Sequence, residues 1–465
     1  MRNHVIYNTE ALFIGCCPSS GYHFISGSGI LNDDYTNLSD NKNLINPIHR
    51  VQSVSYSYNI EYNSIAALGK AGYISRPIIN SPSVGLAFNY LNVDLVNELR
   101  LGLNCNYVNP DGSSYYADNF SVNLLSGLLD RQMLQPTGDP YTPLSTTDKR
   151  NIFVVVGTDG YDLMYSGFAE SHKDNLTNYV YGFGDCYLTS YATQGAVGAF
   201  PSSSASFVCD NLAIYSSGSG NLVPALNPKT KSGINKHFVI PSLYEGDIAP
   251  AALLPGDITL NFSSTPKLTG VLACYGTGHA TNTSETDIKN IGVSFNDMAI
   301  QSYEWSINLD RNTLHSIGYK LPPDRIVRMP ALANIGIGVL VRDAQTGSLD
   351  RLVNNNDDYN ITIKIKNPAS RPQYKAGTAV QYDFRRVKFQ GVSYESSIGQ
   401  NKLAKLNFVS EFDNSDLSRG IFISGLLNIE YDKDYLQTVN TPFYFLLDDN
   451  GYNRILSKKA KEAIF

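Results

Sequence analysis

The residue clusters that could carry chemistry each lack a partner that the chemistry requires. NNNDDYN (Asn354–Asn360) gathers oxygen ligands of the kind that hold calcium. It has neither the glycine nor the terminal Glu of a calcium loop, so it reads as a solvated turn. GTDGYD (Gly157–Asp162) and GTGHATNTS (Gly276–Ser284) set an Asp or a His beside glycines, in the pattern of hairpin ends. The seven histidines (4, 23, 49, 172, 237, 279 and 315) are isolated, and no H-E-x-x-H pair is formed. Gly69-Lys70 is followed by Ala71 and cannot close a phosphate loop, and no G-x-S-x-G elbow occurs. Cys16, Cys17, Cys105, Cys186, Cys209 and Cys274 are scattered without the spacing of a zinc site or disulfide framework, so buried free thiols are expected. The tyrosines at 56, 58 and 62 could stack sugars or bases, but Tyr also favours strands and interfaces. No catalytic, cofactor-binding or metal-ligating residue is expected, and the chain is not expected to be an enzyme.

Composition points to elements that do something other than catalyse. Charged residues are 17% of the 465, below the roughly 25% usual in globular domains. Ser, Thr, Asn, 37 Gly and 31 Tyr fill the space. That mixture favours short strands, tight turns and neutral surfaces over long helices. The net charge of −6 is spread without a basic stripe, which excludes a phosphate-gripping nucleic-acid binder. It suits a conduit through which a polyanion must slide without sticking. The first residues, MRNHVIYNTEALFIG, lack the pattern of a signal peptide, and no run of 18 apolar residues occurs, so no membrane association is expected.

An internal repeat sets the architecture. VQSVSYSYNIEYNSIAALG (51–69) aligns without a gap on IQSYEWSINLDRNTLHSIG (300–318). Identities fall at Gln52/Gln301, Ser53/Ser302, Ser57/Ser306, Asn59/Asn308, Asn63/Asn312 and Gly69/Gly318. Val54, Tyr56, Tyr58, Ile60 and Tyr62 alternate with polar residues, as do Tyr303, Trp305, Ile307 and Leu309. Period two predicts a strand with one buried face, and the alignment turns the same face inward in both copies. Arg76 matches Arg325. Val84, Leu86, Phe88 and Tyr90 match Ala333, Ile335, Ile337 and Val339 as a second strand. Asn151–Val156 matches Asn360–Ile365, and 182–209 matches 383–410 as a closing hairpin. A positive φ is expected at Gly198 and Gly399 in its turn.

The expected fold is therefore all-β, a mainly antiparallel sandwich or barrel with short helices, in two tandem copies. The first copy spans 1–215 and carries an insertion at 95–150, and deletion of much of 96–150 is expected to leave the first domain folded. In that insertion Leu124, Leu125, Leu128 and Leu129 have helical spacing behind an Asp or Ser cap. A Gly-, Ser-, Pro- and Asn-rich linker covers 216–250. The second copy spans 251–425. A C-terminal arm, 426–465, is expected to end in a helix, Ile455–Phe465.

Arg50–Tyr90 resembles the strand–loop–strand core of bacteriophage tail tube proteins. It has a polar alternating strand, a loop with Leu68-Gly69, then Arg76-Pro77 and a second alternating strand. The second copy resembles it through Ile317-Gly318, Arg325 and Pro330. VIYNTEALFIG and SSGYHF near the start are also similar to the opening of phage structural proteins. The resemblance covers about half the chain and implies a duplicated, two-tube-domain member. It implies a virion protein of the viral tail, made in the host bacterial cytoplasm. Its chains would assemble with themselves into stacked homotrimeric, pseudo-hexameric rings. Other tail proteins would be partners, and phage DNA would pass non-specifically through the lumen during ejection. The loops Asn63–Ser81 and Asn312–Pro330 become candidates for ring stacking, with Leu68, Gly69, Arg76, Ile317, Gly318 and Arg325 as the interface residues. A baseplate hub, a capsid decoration protein and a carbohydrate- or receptor-binding β-protein are the alternatives.

Overall fold

The computed structural model describes residues 10–16, 43–44, 46–78, 81–101, 103, 106–108, 149–156, 179–216, 227–229, 238–240, 258–262, 300–322, 324–328, 330–340, 358–366, 378–396, 402–411, 419–426, 443–447 and 453–456. They form an almost wholly β structure with one short helix, Val96–Leu101. None of the described helices is long and apolar enough to cross a membrane.

Fifteen strands share one sheet, and its two halves repeat one strand order. In the first half Glu10–Cys16 pairs with Lys149–Val156, which pairs with Tyr179–Ala196, then Ser202–Ser216, Ser83–Leu91 and Val51–Asn59. In the second half the order is Ile258–Phe262, Tyr359–Lys366, Thr378–Glu395, Leu403–Glu411, Leu332–Leu340 and Ile300–Asn308. The registers also correspond. Val54 lies opposite Phe88 and Tyr303 opposite Ile337. Ile152 lies opposite Phe183 and Ile361 opposite Phe384. The place of the single strand Ser202–Ser216 is taken in the second half by two described strands, Leu403–Glu411 and Gly420–Leu426.

The 18-residue strands Tyr179–Ala196 and Thr378–Glu395 are bent, and the bend makes each half two-layered. A bulge sits between Leu188 and Ser190 in one and between Phe389 and Gly391 in the other. A few residues earlier, Asp185 (φ 48°) and Arg386 (φ 52°) adopt left-handed backbone. This conformation is uncommon for a side-chain-bearing residue and persists where surroundings hold it. Here the amide of Asp185 donates to Asn151 Oδ1 (3.1 Å), and that of Arg386 to Asn360 Oδ1 (2.9 Å). Bulge and twist fold the strand over, so its first part faces strand 51–59 in the first half and strand 300–308 in the second. Tyr56 meets Tyr181 (5.3 Å) and Phe183 (5.4 Å), and Trp305 meets Tyr382 (5.3 Å) and Phe384 (5.6 Å). The apolar core runs between the layers and through both halves.

Several expectations change. The inward face read for both copies is buried in the second alone. Trp305 and Ile307 are each 1% exposed, while Tyr56 is 39% and Tyr58 67% exposed. Among the described residues strand 51–59 ends the sheet, so Tyr56 is covered only in part, by Tyr181 and Phe183, and Tyr58 stands open. The start of the insertion is packed against the scaffold: Leu95, Leu101 and Leu103 join the core and Asn106–Val108 pairs with Gly420–Leu426. The segment expected as a linker contributes buried Asn227 and the strand Phe238–Ile240, which pairs with Phe443–Leu447. At the C-terminus Asn453–Leu456 is a strand paired with Phe443–Leu447, not the start of a helix, because Ile455 and Leu456 extend a hairpin there. The leucines at 124–129, Gly399 and residues 457–465 lie outside the described residues. Gly198 has the expected positive φ, 84°, and Cys186 and Cys209 are buried free thiols.

Gly184 shows how tightly segment 227–229 is held. A Cβ there would overlap the backbone nitrogen of Lys229, a group with little freedom to yield. Gly184→Ala should therefore lower unfolding stability by about 1–3 kcal/mol, read as a lower urea midpoint. An unchanged midpoint would mean that the 227–229 segment is not fixed against the sheet.

Candidate functional site: a strand junction between the two halves

The two halves are joined by adding a strand of one to an open edge of the other. Beyond its bulge, Tyr179–Ala196 has one edge that no described strand of its own half pairs with, and Ile300–Asn308 fills it. The pairing is antiparallel, from Ser190 opposite Asn308 through Thr193 opposite Trp305 to Ala196 opposite Ser302. Backbone hydrogen bonds extend it at both ends, from Val197 N to Gln301 O (2.9 Å) and from Leu309 N to Thr189 O (2.7 Å). Beneath the strands Trp305 packs on Tyr191 (5.4 Å). Gly195, without a side chain, leaves room for the Tyr303 ring.

A cluster of charges clasps one side of this junction. Lys229 Nζ donates to Asp185 Oδ2 (2.9 Å), Asp210 Oδ2 (2.7 Å) and the Pro322 carbonyl (2.7 Å). Arg325 Nε donates to Asp210 Oδ1 (2.9 Å), and its terminal nitrogen to Thr313 Oγ1 (3.1 Å). Tyr187 donates to Asp324 Oδ1 (3.1 Å), and Arg311 Nε to the Leu188 carbonyl (2.8 Å). The Asp210 side chain is wholly buried, so these cations must replace its lost water. Burial alone would lower the Lys229 pKa, but the bonds to Asp210 and Asp185 outweigh it and hold the pKa above its usual value. Asp185, Asp210 and Lys229 come from the first half and its following segment. Arg311, Asp324 and Arg325 come from the second half's hairpin, Arg311–Leu314 with Asp324–Val327.

A second polar cluster lies inside the junction. Glu98 Oε1 accepts from Tyr90 (2.9 Å) and Tyr191 (3.0 Å). Asn92 Nδ2 donates to Thr193 Oγ1 (2.8 Å) and, across to the second half, to Tyr382 (3.4 Å). Burial pushes the Glu98 carboxyl up to about 7, against the lowering effect of the hydrogen bonds it accepts, and Glu98 Oε2 has no partner.

The same junction surfaces recur, uncovered, at other places on the chain. Among the described residues Val51–Asn59, the counterpart of Ile300–Asn308, pairs with Ser83–Leu91 on one edge and with no strand on the other. Beyond the bulge, Thr378–Glu395 pairs among the described residues with Leu403–Glu411 alone, and Tyr394 is exposed there. The sheet face opposite the core carries Ser53, Ser55, Ser204, Asn334 and Asn407, with an ion pair between Lys405 and Glu304.

The residues expected at an interface divide into two groups. Leu68 and Ile317 stand fully exposed at equivalent hairpin tips, beside Gly69 (φ 82°) and Gly318 (φ 91°). Arg76 is exposed and lies over the Tyr73 ring, 4.6 Å from its centre. Arg325 is not free for stacking, because it belongs to the buried clasp. Asp185, Asp210, Lys229 and Glu98 were not singled out by sequence reasoning. Asp210 alone left a trace, one residue beyond the aligned hairpin and matched there by Glu411. Asp358, within the acidic run, is held below its usual range: burial would raise it, but Lys388 and Arg386 lower it more. It is paired with both (2.5 and 2.8 Å). Among the described residues no three His, Cys, Asp or Glu side chains are grouped to hold a metal, and both glycine-flanked Asp and His loops lie outside them.

No protein-family model matches this chain, and no curated protein matches its sequence.

Two measurements test this description. Trp305→Ala should cost about 3–5 kcal/mol, as for a large buried aromatic, and Tyr56→Ala about 1 kcal/mol or less in the isolated chain. Equal losses in denaturant titrations would contradict the burial difference. Glu98 has its folded-state pKa above the unfolded value. Its contribution is thus fully present below about pH 4.5 and is lost as pH rises through about 7. Between pH 4.5 and 8 the parent should lose about 3 kcal/mol more than Glu98→Gln. Parallel pH profiles for the two proteins would rule out a buried neutral carboxyl.

Proposed function

We infer that the chain is a structural virion protein, the major tail tube protein of a bacteriophage, acting by polymerisation into rings that stack as a conduit for DNA. One observation carries the reading: the junction filled inside the chain by Ile300–Asn308 has, among the described residues, an unfilled counterpart on each half. Open strand edges bearing apolar side chains are hazards that proteins cover or close. Here the two open surfaces are counterparts of surfaces that already fit each other.

Such a contact is heterologous, so it builds a ring if the rotation closes. Two sheet units per chain and a sixfold arrangement of units correspond to three chains per ring. The Ser- and Asn-rich sheet face would then line the lumen, neutral enough to let a polyanion pass. Leu68 and Ile317, exposed at equivalent tips, would meet the next ring. The proposed partners are further copies of this chain, other tail proteins and DNA in transit, and the proposed location is the virion tail after synthesis in the bacterial cytoplasm.

Negative-stain microscopy of the purified chain, with mass from light scattering, tests the proposal. Rings or hollow tubes containing three chains per turn are expected. A chain that stays monomeric at high concentration, even with a tail initiating complex supplied, would refute it.

A further inference from the structure

The charged clasp has an unmatched counterpart that a single chain cannot complete. Inside the chain, first-half Asp210 receives second-half Arg325. The register of the two sheets makes Glu411 the counterpart of Asp210: Cys209 lies opposite Val84 as Ser410 lies opposite Ala333, and Glu411 follows opposite Leu332. Arg76 is the counterpart of Arg325, on the equivalent hairpin, where Ser64 stands in place of Thr313. Each half thus carries a carboxylate and an arginine in the same places. The pairing crosses from one half to the other, so Arg76 and Glu411 are left over, and both are exposed.

We propose that the partner for each is a second copy of this chain: Arg76 of one copy closes on Glu411 of the next, while Val51–Asn59 adds to the open edge at 391–395. This rests on the self-assembly reading above and fixes its register. Transferring the internal pairing sets Gly391 opposite Asn59, Val392 opposite Tyr58, Ser393 opposite Ser57, Tyr394 opposite Tyr56 and Glu395 opposite Ser55.

Side-chain volumes support this register. Internally, the large Tyr303 ring faces Gly195, where no Cβ fits. In the transferred register their counterparts are Val54 and Ser396, a smaller side chain against a larger one. The surrounding charges are also balanced within the second half. Lys149 pairs with Asp185 in the first half (3.6 Å), and the equivalent pair is reversed in sign as Asp358 with Arg386 (2.8 Å). Arg386 therefore already has its anion, and Glu411 remains to receive an incoming arginine. Asp324, which would be a third acid near the clasp, is replaced in the first half by Ser75. The partner chemistry is thus a β-edge with an arginine-bearing hairpin beside it, as this chain itself presents.

Charge reversal tests the clasp. The association of the parent, Arg76→Glu, Glu411→Arg and the double variant is measured by analytical ultracentrifugation, with thermal melting of each as a folding control. Both sites are exposed, so all four proteins should melt alike. Each single variant should associate at least about tenfold more weakly, and the double variant should recover to within about threefold of the parent. Single variants that associate as well as the parent, or a double variant as weak as the worse single, would overturn the clasp and leave self-assembly standing. A parent that does not associate at any concentration, even with a tail initiating complex supplied, would overturn the clasp and the self-assembly reading together.

Discussion

A strand with one unpaired edge must satisfy its row of N–H and C=O groups, and this requirement organises the molecule. The long strand 179–196 cannot satisfy it within its own half. Its first part is flanked by 149–156 and by the far end of 202–216. Past the bulge the chain has turned away from 149–156, and one edge is left bare. Strand 300–308 fills that edge, and its side chains Tyr303, Trp305 and Ile307 become core because of it. The halves are therefore joined as one continuous sheet, not tethered as separate beads.

This accounts for a difference between two nearly equivalent strands. Positions 305 and 307 are Trp and Ile, committed to burial. Positions 56 and 58 are Tyr, which tolerates water and still offers a large apolar face. A strand exposed in one state and covered in another calls for such a side chain, whereas an edge that always faces water would be better served by Lys or Thr. On the proposed reading, Tyr56 and Tyr58 are covered when the next copy docks. The opposite face of both strands is short and polar, with Ser53, Ser55 and Ser57 answering Ser302, Glu304 and Ser306.

The alternation of strand 51–59, its match to 300–308 and the glycine tips at 69 and 318 were legible because each depends on local pattern and backbone freedom. Burial of the alternating face was not, because a partner strand confers it and the partner differs between the halves. The bend was hidden for a related reason. Asp185 and Arg386 take a left-handed conformation without being glycine, held by Asn151 and Asn360 from another strand. The two asparagines appear in the sequence as one matched letter in NIFVVV and NITIKI, with nothing local to say what they accept. Lys229 was obscured by composition: a Gly-, Ser- and Pro-rich stretch reads as linker, although its Asn227–Lys229 portion is packed against the sheet. The arginines at 76 and 325 were found together as a repeat, and their environments then diverged.

The buried charges at the junction bear on register more than on strength. Removing Asp210 and its cations from water costs roughly what their attraction returns, and an apolar patch of equal volume would hold the halves about as well. An apolar patch would, however, tolerate sliding. In a sheet whose side chains have period two, a one-residue slip would turn Trp305 to the wet face and Ser306 into the core. It would also carry Arg325 away from Asp210, leaving a buried carboxylate with one cation fewer, at a cost of several kcal/mol. The charge cluster and the alternating core thus oppose the same error by independent means. On the proposed reading, a chain that repeats one junction between copies as it does within itself has more need of that selectivity than of additional affinity. The retention of a carboxylate and an arginine at both sets of positions fits that need.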